Sequence, residues 1–242
     1  MSPTRPTPLG PQDRASVDLY WLPLGAGDAS RCVRWNGRIY EALAARYDRL
    51  ELRDLYHSAL DVHVGADHFV IEMAPVWGHK HADRGAVSDG PVGLPWLGRS
   101  RFFRYEVRRW RSGSIPDVSE AVASPQRMSS DVVLAQLVLD LVPAFPTVTW
   151  GRDELRTGDM WNSNSLIAWL LARSGHEIAP IELPLHGRAP GWEAGLVVAA
   201  RQEDALRRPD AARHGCPASV TTSESRGVTG GDFRYLEERG RP

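Results

Sequence analysis

Apolar residues along the chain recur with a period of two in some stretches and near 3.6 in others, and the switches mark its elements. Val17 to Leu24 reads as a first strand, ended by Gly25-Ala26-Gly27-Asp28. Ile39, Leu43, Ala44 and Tyr47 share one helical face, so the spacing predicts a helix over about Gly37 to Arg49. Leu55 to Val64 alternates, as does His68 to Ala74, and Gly65-Ala66-Asp67 supplies a hairpin turn between them. One face of that hairpin carries Tyr56, Leu60, Val62, Val64, Phe69, Ile71 and Met73. The other carries His57, Ala59, Asp61, His63, His68, Val70 and Glu72. A two-residue turn within 65–67 sets Glu72 opposite position 59 or 61, on the face of His57.

Residues 75–100, rich in Gly and Pro, predict a long loop. Arg101 to Trp110 alternates again, with Phe103, Tyr105 and Val107 on its core side, and Pro116 to Pro125 reads as irregular. Ser129-Ser130-Asp131 caps a helix running to Val142. A second capped helix opens at Asp159-Met160-Trp161-Asn162-Ser163-Asn164-Ser165 and runs through Leu166, Ile167 and Leu170 until Gly175 stops it. After the Pro/Gly-rich run 180–191, Gly195 to Arg201 reads as a short strand.

These elements predict a single α+β domain over residues 17–201, a small antiparallel β-sheet packed against helices. Residues 1–16 and the tail 202–242 read as disordered by composition. A hydrophobic share of 42% and a charged share of 24% are those of a soluble globular chain. The formal charge of −1 argues against a general nucleic-acid or membrane binder. Cys32 and Cys216 are far apart without metal-type spacing, which points to a reducing, cytoplasmic setting and no disulfide framework. No apolar run is long enough to span a bilayer. Lys80 is the sole lysine among many arginines, a skew that reflects base composition more than chemistry.

Candidate chemistry centres on Ser163. At a helix start, its hydroxyl faces the positive end of the dipole and unpaired amides that could hold an oxyanion. A serine needs a base, and the base works best with an orienting group; His57 and Glu72, on one face of the hairpin, are the candidates. The alternative for Ser163 is helix capping, the commoner use of such a residue. Trp161 and Asn164 would line the adjoining substrate pocket, and Asn162 completes the catalytic tract.

The order of a His-bearing strand, an acidic next strand and a nucleophile at a helix start resembles the circularly permuted papain-like (NlpC-related) hydrolases. These include the PPPDE peptidases and lecithin:retinol acyltransferase-like enzymes. Tyr56-His57-Ser58-Ala59-Leu60, Val70-Ile71-Glu72-Met73 and Asn162-Ser163-Asn164 carry the likeness, which covers roughly residues 50–175. It implies a papain-like fold and an amidase, peptidase or acyltransferase activity on a small-molecule or peptide substrate, with no cofactor. The family's nucleophile is cysteine, whose thiolate a helix N-terminus favours; serine forms no alkoxide so cheaply. Either His57 acts as a true general base, or the domain has lost catalysis and kept a binding pocket.

Two further sites compete. His79-Lys80-His81-Ala82-Asp83 resembles the His-x-His-x-Asp start of metallo-β-lactamase-fold hydrolases, with His57, His63 and His68 nearby, though Arg84 stands where that motif ends in His. A polar surface loop is the commoner origin of such a stretch and the preferred reading. Arg99, Arg101, Arg104, Arg108, Arg109 and Arg111 interleave with aromatics as in some single-strand nucleic-acid binders, but Glu106 interrupts them and a solvated sheet face explains them.

Overall fold

The protein is described by a computed structural model covering residues 14–23, 55–76, 84–115 and 118–207. The predicted helix over 37–49, the His79–Asp83 motif and the tail from residue 208 lie outside the described residues.

Six strands, β1 (Ala15–Pro23), β2 (Tyr56–Val64), β3 (Asp67–Pro75), β4 (Ala86–Pro91), β5 (Arg104–Arg111) and β6 (Val122–Ser129), form one antiparallel sheet. Its order is β4-β5-β3-β2-β1-β6. The central hairpin has the register its alternation requires, with Leu60 opposite Ile71 and His63 opposite His68. The apolar face lines up across the central strands: Val17 opposite Val62, Leu19 opposite Leu60, and Met73 opposite Val107. All of these are buried in one core.

Three helices occur among the described residues: α1 (Val132–Leu141), α2 (Ser163–Arg173) and α3 (Trp192–Arg207). Asp131 starts α1 by accepting from the amides of Val133 and Leu134. Helix α2 is buried on all sides from Ser163 to Leu171, which places it in the middle of the molecule. Leu166, Ile167 and Leu170 are fully buried, and each contributes about 1.5–3 kcal/mol of transfer free energy. On the other face of the sheet Leu22, Ala59, Val70 and Ile115 form a smaller, separate cluster.

Four expectations need correcting. Strand β1 begins at Ala15, inside the segment expected to be disordered, because Gly65 donates to Arg14 and extends the pairing with β2. Residues 86–91 form an edge strand where a loop was expected; Pro91 at its end and a register shift suit an edge, and no alternation advertises it. Strand β6 likewise occupies part of the stretch expected to be irregular and makes the opposite edge. Gly195 to Arg201 is helical, within α3, which continues into the expected tail as far as Arg207. Ala194, Gly195, Val198 and Ala199 are buried with helical spacing, so the short apolar run is one face of a helix and not a strand.

Candidate functional site

The start of α2 is built from side chains that bond backbone. Asn162, in extended conformation, accepts from the amides of Asn164 (2.9 Å) and Ser165 (3.3 Å). The Ser165 hydroxyl accepts from the Asn162 amide at 3.1 Å, closing a reciprocal capping box. Leu166 donates to the Asn162 carbonyl. The same residues fasten α2 to its surroundings. Asn162 Nδ2 donates to the Pro190 carbonyl, and Ser165 Oγ donates to that of Gly191 at 2.7 Å. Asn164 Nδ2 donates to the carbonyls of Tyr56 and Pro190, both at 2.9 Å, while its Oδ1 accepts from Ser58 Oγ at 2.8 Å. Gly191 sits at φ +87, and a Cβ there would lie 2.3 Å from Asn162 Oδ1, so only glycine lets the loop approach this closely.

The three expected catalytic residues are distributed differently from the expectation. Ser163 is buried on α2, which packs on the larger core. His57 stands opposite Leu22 in the register, and Leu22 and Ala59 belong to the cluster on the other face. Its neighbours Tyr56 and Ser58 point toward α2; His57, between them, points away. Among the described residues no hydrogen bond joins His57 to Ser163 or to Glu72. Burial pushes the His57 pKa down to about 4, so the imidazole is neutral at pH 7.

Glu72 is also committed elsewhere. Arg108, its cross-strand partner, donates Nη1 to Glu72 Oε1 at 2.9 Å, Nε to Glu106 at 3.0 Å and Nη2 to the Pro75 carbonyl. Glu72 and Arg108 are both buried, a setting in which each charge requires the other. As the third member of a triad Glu72 is thus replaced by Glu72 as half of an ion pair. Trp161, expected at a pocket wall, is a core residue: it is 1% exposed, stacks on Phe145 and donates Nε1 to the Pro146 carbonyl. Asn164, expected to bind substrate, has its amide spent on β2 and the 190 loop.

Two features were not singled out from the sequence. Asp61, His63 and His68 converge on the outer face of the hairpin, with ligand atoms all within 4.8 Å of one another. The hairpin register could have found them, because a turn at 65–66 sets His63 opposite His68. The other feature is an open groove of about 560 Å³ at the C-terminal end of α2, lined in part by Gln126, Arg127, His176, Glu177 and Glu182. Helix α2 has 11 residues, so this groove lies roughly 16 Å along its axis from Ser163. His176 is buried beside it, its Nδ1 2.8 Å from Ser174 Oγ. Ser174 directs its hydroxyl at the Leu170 carbonyl (2.7 Å), which leaves Oγ to accept from Nδ1–H. Burial lowers the His176 pKa, a nearby Asp131 opposing it.

Comparison with protein-family models, with curated proteins and with solved structures returned no match. The architecture defines the class as far as an α+β chain with a six-stranded antiparallel sheet and three helices on the described residues. None of those helices is long and apolar enough to cross a membrane.

Proposed function

We propose that the chain is a non-catalytic binding module on a permuted papain-like architecture, in which the residues flanking the family's nucleophile position form a structural clasp. One observation carries this reading. The amides of Asn164 and Ser165, which would hold an oxyanion formed at Ser163, already donate to Asn162 Oδ1. The engagement of Glu72 by Arg108 removes the orienting carboxylate, which supports the same reading. The ligand, a small molecule or peptide, is received in the groove at the opposite end of α2.

A second reading is a hydrolase or acyltransferase acting on an amide or ester. Ser163 would attack the carbonyl, and His57 would take its proton and return it to the leaving group. One observation favours it: Asn164 bonds Tyr56 and Ser58, the two residues flanking His57, so the start of α2 is docked against the start of the His-bearing strand. A neutral imidazole is also the form a general base requires.

A fluorophosphonate probe separates the two. With the folded chain and intact-mass readout, the binding reading expects no adduct on Ser163 from about pH 6 to pH 9. A stoichiometric adduct at Ser163 that His57→Ala abolishes would overturn it and establish the hydrolase.

A further inference from the structure

Asp61 and His63 lie two residues apart on β2, and His68 stands directly across from His63 on β3. The imidazoles stack with centroids 4.5 Å apart and planes inclined by 18°. Asp61 Oδ1 lies 3.2 Å from His63 Nε2 and 2.8 Å from His68 Nε2. In a tetrahedral zinc site with bonds of about 2.0–2.1 Å, neighbouring ligand atoms are roughly 3.3 Å apart. The two distances to Asp61 are close to that edge length, and all three ligand atoms lie within 4.8 Å of one another.

The short contact between Asp61 and His68 is not a hydrogen bond. Asp61 Oδ1 and His68 Nε2 are both buried atoms, and neither has a hydrogen-bond partner despite the 2.8 Å between them. Two buried polar atoms therefore face each other with no hydrogen bond to satisfy either, a costly arrangement. A cation bonded to both would resolve it. Two imidazole nitrogens and a carboxylate oxygen are a donor set suited to a divalent transition-metal ion. Asp18, opposite Asp61 on β1, does not compete, because its carboxylate is paired with Arg127. His63 is the most exposed of the three, with 48% of its side chain accessible, so the cluster is reached from solvent on that side.

We infer that Asp61, His63 and His68 form a binding site for a divalent transition-metal cation, zinc by ligand type, on the outer face of the β2–β3 hairpin. Ligation uses one carboxylate oxygen and two Nε2 atoms, with Nδ1 of each ring carrying the proton. The site is independent of Ser163 and of the groove beside His176. The proposed ligand set uses neither His79 nor His81, which gives the test its control.

The experiment uses the untagged full chain, stripped with chelator and titrated with zinc chloride by calorimetry, with cobalt absorption as a second readout of geometry. The wild-type chain is expected to bind zinc with tetrahedral cobalt bands. Even outer-shell partners are worth about 10–100-fold in metal affinity, so His63→Ala or His68→Ala is expected to weaken binding by about a hundredfold or more. Asp61→Asn is expected to weaken it in the same direction, while His79→Ala/His81→Ala leaves this site's affinity unchanged. Far-UV circular dichroism checks that each variant is folded. Absence of zinc binding by the wild-type chain would overturn the inference, as would undiminished binding by a folded His63→Ala/His68→Ala variant.

Discussion

His57 shows how one side chain's surroundings set its chemistry. Desolvation of this half-buried ring lowers its pKa from 6.5 to about 4. The folded state therefore disfavours the imidazolium, whereas the unfolded chain protonates it near its ordinary pKa. Between pH 6.5 and about 4 the unfolded state binds more protons, so stability falls as pH is lowered through that window. The full effect, on the order of 2–3 kcal/mol, is reached below the folded-state pKa. His176, also lowered by burial, acts in the same direction. Urea denaturation at a series of pH values measures this, and His57→Asn is expected to flatten most of the dependence. A wild-type chain equally stable at pH 7 and pH 4.5 would contradict the desolvation of a neutral imidazole at His57. The residue's identity was plain in the sequence. Its burial was not, because burial is set by which residues cover the outer face of the sheet.

Elements with a strong period were legible, and those without one were not. The β2–β3 hairpin and α2 follow from alternation and capping residues, since each such signal reports a local interaction that the fold keeps. Edge strands β4 and β6 carry Gly, Pro, Ser and charge, and their pairing is imposed by β5 and β1. Helix α3 was misread because seven residues of it fit two periods; burial of Ala194, Gly195, Val198 and Ala199 at helical spacing decides for the helix. Gly195 gives that element its own test. In an exposed helix, Gly→Ala stabilises by about 1 kcal/mol. Here a Cβ would meet the Ser165 carbonyl oxygen at 2.4 Å and Ala168 Cβ at 2.9 Å, so α3 would have to move off α2. Gly195→Ala is therefore expected to destabilise by about 1–3 kcal/mol, as overpacking does, with the sign reversed from propensity. Chemical denaturation reads the sign directly.

At the scale of the whole molecule, the Asn162–Ser165 tract joins parts distant in sequence: the head of α2, the start of β2 and the loop at 190–191. The sequence places Ser163 at the centre of that tract; the structure gives the holding to its neighbours. Candidate catalytic residues could be listed from the chain, but which face of the sheet each occupies depends on how α2 and β2 dock. That docking runs through Ser58 and Asn164, 106 residues apart. Asn164, 1% exposed, makes two hydrogen bonds across it and a third to the loop at 190. The Ser163 hydroxyl makes none to another described side chain. The measurement that tests the clasp most directly is the unfolding free energy of Asn164→Ala beside that of Ser163→Ala. Leaving several buried polar groups unsatisfied costs about 1–3 kcal/mol each, so Asn164→Ala is expected to lose about 3–5 kcal/mol, a large share of a typical domain's stability. Ser163→Ala is expected to stay within about 1 kcal/mol of the wild-type chain. An Asn164→Ala chain as stable as wild type, or a Ser163→Ala chain that loses as much, would contradict the account.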